Sequence, residues 1–177
     1  MSRYRGILRF IINIMIKDQL KKDLVTAFKE GNAVKKSVIS VLNNAIKNRE
    51  LDKRAKMVKE GIAEAEADMK SVITDEEAVE VIMTEVKKRK ESIAQFTAGG
   101  RPELAESEQA EIDVLMPYLP AQLSESEVED IARQALSEAG ITEAKDMGKA
   151  IGVVMSKVKG RTEGNAVSAA VKKILGA

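Results

Sequence analysis

The sequence contains no cysteine, no histidine and no tryptophan, and only three prolines interrupt its 177 residues. Without cysteine there can be no disulfide framework, and a reducing compartment, the cytoplasm, is the expected location. Without cysteine or histidine, a metal site built on either is excluded. Nucleophilic catalysis by a Ser-His or Cys-His arrangement is excluded as well. Acid–base chemistry would fall to carboxylates, lysines or the two tyrosines, and no cofactor or metal is expected. A long apolar run is also missing. Ile11–Ile16 is interrupted by Asn13 and is too short to span a bilayer. It lies beside Arg3, Arg5 and Arg9, and no small-residue cleavage site follows. Residues 1–15 thus read either as an extension upstream of a start at Met15 or as a basic amphipathic helix that touches a membrane or partner.

Aromatics are only 3% of the composition, so the core has to come from Leu, Ile, Val, Ala and Met, a mix that favours packed helices. The expected fold class is all-α. Net charge is +1 but unevenly spread: residues 1–50 carry +7, 51–100 carry −2, 101–150 carry −8 and 151–177 carry +4. Such segregation suggests an anionic partner for the two basic ends, although charges on any one helix can simply coat a solvated face.

Apolar residues at spacings of three and four predict a first helix over Ile16–Glu30, with Ile16, Leu20, Leu24, Ala27 and Phe28 on one face and Gly31 as its stop. A second helix is expected from Asn32, with Val34, Val38, Val41, Leu42, Ala45 and Ile46 lining its apolar side and no stop before Gly61. The charge-dense stretch around residues 51–70 reads as a solvent-exposed helical extension. Thr74-Asp-Glu-Glu77 is a capping box opening a third helix. Its inner face is expected to hold Ala78, Val81, Ile82, Val86, Ile93 and Phe96, and Gly99 and Gly100 end it. Pro102 fits a first helical position of the next.

Pro117 and Pro120 make "PYLPAQLS" the best domain boundary. It separates a helical amino-terminal subdomain, 16–119, from a compact three-helix carboxy-terminal one, 120–177. Ser124 with Glu127 is a second capping box. It opens a helix to Ala139 that turns Val128, Ile131, Ala135 and Leu136 inward. Helices near Asp146–Val158 and Gly164–Leu175 follow.

The stretch "KDMGKAIGVVMSKVKGRTEGNAV" holds Gly-Lys and Gly-Arg pairs but is no nucleotide loop. That motif needs a preceding strand and a terminal Gly-Lys-Ser/Thr, whereas Gly148-Lys149 is followed by Ala150 inside an expected helix. Gly148 and Gly152, four apart, read as spots where another backbone approaches. Gly160 and Gly164 read as helix punctuation. Met147 and Met155 have core spacing. Around "GRTEGN" lie Lys145, Lys149, Lys157, Lys159, Arg161, Lys172 and Lys173, against only Asp146 and Glu163. The backbone N–H groups of "GRTEGN" lie near a helix start and can accept an anion. The basic residues can meet phosphates or only water. A second basic run is Lys87, Lys88, Arg89 and Lys90. The paired carboxylates of "ELAESEQAEID" and "SESEVED" read as solvated faces and first turns.

Three segments, "KKSVISVLNNAIKNRE", "VKKRKESIAQFTAGGRPELAESEQAEIDVLMPYLPAQLSESE" and "KDMGKAIGVVMSKVKGRTEGNAVSAAVKKIL", resemble in order the free-standing proteins of the GatB/YqeY family. The resemblance covers about Ile16 to Leu175. It implies a domain shared with the tail of the GatB subunit of the tRNA-dependent amidotransferase, a tail associated with tRNA binding. It further implies a nominal carbon–nitrogen ligase label with glutamine as amido-nitrogen donor. The catalytic sites of that enzyme lie outside this domain, so complete ligase activity is not expected from this chain alone. The expected partners are tRNA, or an amidotransferase or other tRNA-related protein that the chain would serve as an adaptor. Lys87, Lys88, Arg89, Lys90, Lys149, Lys157, Lys159 and Arg161 are the candidate RNA contacts. Lys35, Lys36, Ser37 and Ser40 stand where the family usually has an Arg-Leu-Ser-…-Arg pattern, Glu163-Gly164 stands for Asp-Gly, and the region 51–73 is longer than usual.

Overall fold

The structure, a computed structural model, describes residues 15–176. The expected extension over residues 1–15 lies outside them except for Met15. The fold is all-α, and no strand occurs among the described residues. Eight α-helices are described: α1 (Met15–Lys29), α2 (Ala33–Lys59), α3 (Glu64–Lys70), α4 (Asp75–Ala98), α5 (Pro102–Leu115), α6 (Glu125–Ala139), α7 (Met147–Val158) and α8 (Gly164–Leu175). The chain divides into two compact units, the first ending at Tyr118 and the second beginning at Leu119.

In the first unit α1 packs on α2, and α4 packs most extensively on α5. Leu20, Ile39, Leu42, Ile82 and Leu115 are fully buried between them. Asn32 caps α2, its side chain accepting the Lys35 N–H at 2.9 Å. The Thr74 capping box is complete: its hydroxyl accepts from the Glu77 N–H, and the Glu77 carboxylate accepts from the Thr74 N–H at 2.8 Å. Tyr118 closes the unit, its hydroxyl donating to Asp23 at 2.6 Å.

Three expectations for the first two helices change. Phe28 is 71% exposed and Val34 and Val41 are exposed as well, while Ile39 is fully buried. The buried stripe of α2 is Val38, Ile39, Leu42 and Ile46, and Val34 and Val41 fall to one side of it. At Phe28 the Lys36 ammonium sits 5.5 Å from the ring centre, a cation–π arrangement at the surface.

The charge-dense stretch after Leu51 is no simple extension. α2 runs to Lys59, and the chain then reverses at Gly61, whose φ of +89° suits only glycine. α3 folds back on α2 and buries Ala67. Charged residues of α2 fasten the returning chain. Arg54 holds Asp68 and, at 3.2 Å, Glu64. Lys53 holds Glu77 at 2.8 Å. Glu50 accepts the Ile73 N–H at 3.3 Å and pairs with Lys17.

The second unit is a three-helix assembly in which α6 packs on α7 and α8, and α7 packs on α8. Its core is Val128, Ala132, Ala135, Leu136, Ile141, Ala150, Val154, Val158, Val167, Ala170 and Val171, with Ile131 and Met147 partly buried against it. The small Ala and Val side chains let the three helices pack closely. The Ser124–Glu127 capping box starts α6. Met155, expected in the core, is 36% exposed on the outer side of α7.

Candidate nucleic-acid interface

The eight candidate contacts fall into two groups, four on α4 of the first unit and four in the second unit. The α4 group is heavily engaged. Arg89 is buried and does not offer its guanidinium to a ligand. It donates through Nε to Glu111 of α5 at 2.9 Å, and through Nη1 to the Glu85 carboxylate and the Glu85 carbonyl, each at 3.1 Å. Lys88 also holds Glu85, at 2.7 Å. Burial pushes the Glu85 carboxyl pKa up, but hydrogen bonds and charge from Lys88 and Arg89 outweigh it and hold the group below the usual carboxylate range. Lys87 lies 3.8 Å from Glu91, and Lys90 is exposed. The reading of Arg89 as a phosphate contact is therefore corrected: a buried forked donor engaged by the buried Glu85 and the half-buried Glu111 is a packing element.

In the second unit Arg161 is a stitch as much as a charge. Gly160, at φ +69°, ends the turn after α7. The Arg161 N–H donates to the Val158 carbonyl at 2.9 Å, and its own carbonyl accepts from the Leu123 N–H at 2.8 Å. Its Nε donates to the Ala121 carbonyl at 3.2 Å, and Gln122 donates to the Gly160 carbonyl at 3.0 Å. Hydrogen bonds from Ser124, and the charge of Arg161, hold the Glu127 carboxyl low. The start of α8 is less inviting to an anion than its sequence suggests, because the acidic Glu163 occupies the N-cap position.

Lys149 and Lys159 are exposed and make no ion pair among the described residues, and the same holds for Lys172 of the wider basic patch. Lys157 and Lys173 are paired across helices, with Glu138 at 3.2 Å and Glu129 at 2.6 Å. Bonds from Lys157 and Gln134 keep the Glu138 carboxyl low. Periodicity could not show these pairs, because it reports a helix's own faces and not which neighbour lies across from it. The second unit has no aromatic residue, so base stacking is closed to it.

The two glycines of α7 read as close-approach spots are corrected too. Gly148 and Gly152 are exposed, and a Cβ on either would have nothing within 4 Å. They lie on the outer side of a helix whose core face is Ala150, Val154 and Val158. Gly164 is the first residue of α8 and likewise has open space around it.

These features define an all-α module with exposed lysines in both of its units. Residues 54–175 match the family of YqeY-like proteins, and the chain belongs to that family. Over 143 residues, 77% of each chain, it is 32% identical to "Altered inheritance of mitochondria protein 41, mitochondrial" of Pyrenophora tritici-repentis. Its identity to the protein of the same name in Candida glabrata is 33% over 66% of this chain and 56% of that protein. An uncharacterized protein of Schizosaccharomyces pombe is 34% identical over 47% of this chain and 69% of its own length. No described helix is long and apolar enough to cross a membrane.

Proposed function

We propose that the chain is a YqeY-like accessory module that binds tRNA, or a tRNA-bearing assembly, through phosphate contacts from its second unit. The observation that carries this reading is the set Lys149, Lys159 and Lys172, exposed and without ion pairs among the described residues, on a unit that lacks aromatics. Such a surface reads backbone charge and RNA shape, not base identity. The family's resemblance to the amidotransferase tail supports tRNA as the class of RNA. Lys87 and Lys90 of α4 are additional exposed cations; Arg89 is not among the contacts. The cytoplasmic setting belongs to this proposal, and the names of the two fungal relatives place those proteins in mitochondria.

Bulk tRNA titrated into the purified chain, at low and at moderate salt, tests the reading. Binding at low salt that weakens steeply as salt rises is expected; no binding at low salt removes it. A protein–protein adaptor is the second reading, favoured by Phe28 and Val25 of α1, both more than half exposed. A protein partner retained after nuclease treatment and lost on Phe28→Ser would favour it. Glutamine- and ATP-dependent amidation of charged tRNA by the purified chain would instead make it an amide-forming enzyme.

A further inference from the structure

Two interhelix ion pairs of the second unit run outward from α6. Glu129, near its start, holds Lys173 of α8 at 2.6 Å, and Glu138, in its last turn, holds Lys157 of α7 at 3.2 Å. Gln134, one turn before Glu138, donates to the same carboxylate at 2.9 Å and steadies it. Each captured lysine has an uncaptured neighbour: Lys172 stands beside Lys173, and Lys159 two residues after Lys157. α6 therefore divides the lysines of α7, α8 and the turn between them into held and open cations. Exposed ion pairs of this kind add little to stability, so their larger consequence is for what else those ammonium groups can reach.

We propose that Glu129 and Glu138 act as built-in competitors of RNA phosphate, holding Lys173 and Lys157 in pairs that must open before those lysines join the interface. This regulation rests on the RNA-binding reading above. A phosphate that captures Lys157 leaves the Glu138 carboxylate unpaired and close to the incoming negative charge. Each held lysine thus enters the interface at a cost that Lys149, Lys159 and Lys172 do not bear. The two carboxylates set how many cations the patch presents and how salt-sensitive its binding is.

The test uses the full chain, bulk tRNA and a salt series with three single variants: Glu129→Gln, Glu138→Gln and Asp130→Asn. Asp130 is an exposed acid of the same helix with no ion pair among the described residues, so its variant reports the long-range effect of losing one negative charge. Each glutamine variant is expected to tighten tRNA binding roughly two- to fivefold. Each should also steepen the log–log salt slope by about 0.7–0.9, the signature of one more phosphate contact. Asp130→Asn is expected to tighten binding less and leave the slope unchanged. Glutamine variants that match Asp130→Asn in affinity and slope would overturn the competitor role while leaving RNA binding intact. A wild-type chain that fails to bind tRNA at low salt would remove both.

Discussion

Arg89 shows how much one side chain's surroundings change its meaning. In "VKKRKES" four consecutive cations look equivalent, but the helix turns Arg89 to the same side as Ala78, Ile82, Glu85 and Val86, all buried. That periodicity was readable: Arg89 lies three after Val86 and four after Glu85. What the sequence could not show is Glu111, which comes from another helix and completes the guanidinium's partners. Removing the arginine leaves the buried Glu85 and the half-buried Glu111 without their forked donor. Arg89→Ala is expected to destabilise the chain by about 3–5 kcal/mol in urea denaturation. Arg89→Lys should recover only part of this, since an ammonium cannot reproduce the fork. A loss within the few tenths of a kcal/mol typical of exposed pairs would show that the triad is not structural.

At the scale of single elements, helix ends were the most legible part of the chain. Asn32, Thr74 and Ser124 all cap as their side-chain chemistry requires, and α8 occupies Gly164–Leu175 as its pattern predicts. Helix faces were less legible. α7 carries glycine on its outer side, where four-residue spacing alone suggested a neighbouring backbone that is not there. A glycine with room for a Cβ and ordinary helical backbone costs conformational entropy without return. Gly152→Ala is accordingly expected to stabilise the chain by about 0.5–1 kcal/mol, read as a higher urea midpoint. Destabilisation would restore the close-approach reading. The segment after Leu51 was illegible for a related reason. Glu50, Lys53 and Arg54 look like a solvent coat, and their roles depend on a chain reversal that brings Ile73, Glu77 and Asp68 back to α2.

For the whole molecule, the first unit gathers three carboxylates held below their ordinary range. At Glu50, Glu77 and Glu85 burial raises the pKa, but bonds from Lys17, Lys53, Lys88, Arg89 and nearby backbone N–H groups overcome it. A carboxyl whose pKa is lower in the folded chain than in the unfolded chain stabilises the fold above the unfolded value, 4.5 here. That contribution is lost as pH falls through the folded value. The urea midpoint, followed by far-ultraviolet circular dichroism, should therefore be lower at about pH 3 than at neutral pH. Lys53→Met should narrow that gap by returning Glu77 toward its ordinary range.

The second unit carries the functional claim. The all-α class and the basic character of the end of the chain could be read from composition and spacing. Which lysines are open and which are held could not, because that depends on the carboxylates α6 sets opposite α7 and α8. The most direct measurement is the salt dependence of tRNA affinity for the wild-type chain and for a Lys149→Ala, Lys159→Ala, Lys172→Ala triple variant. If these three lysines meet phosphates, the triple variant binds more weakly and its log–log slope is shallower by roughly 2–3. An unchanged slope, with the variant folded, would contradict the account.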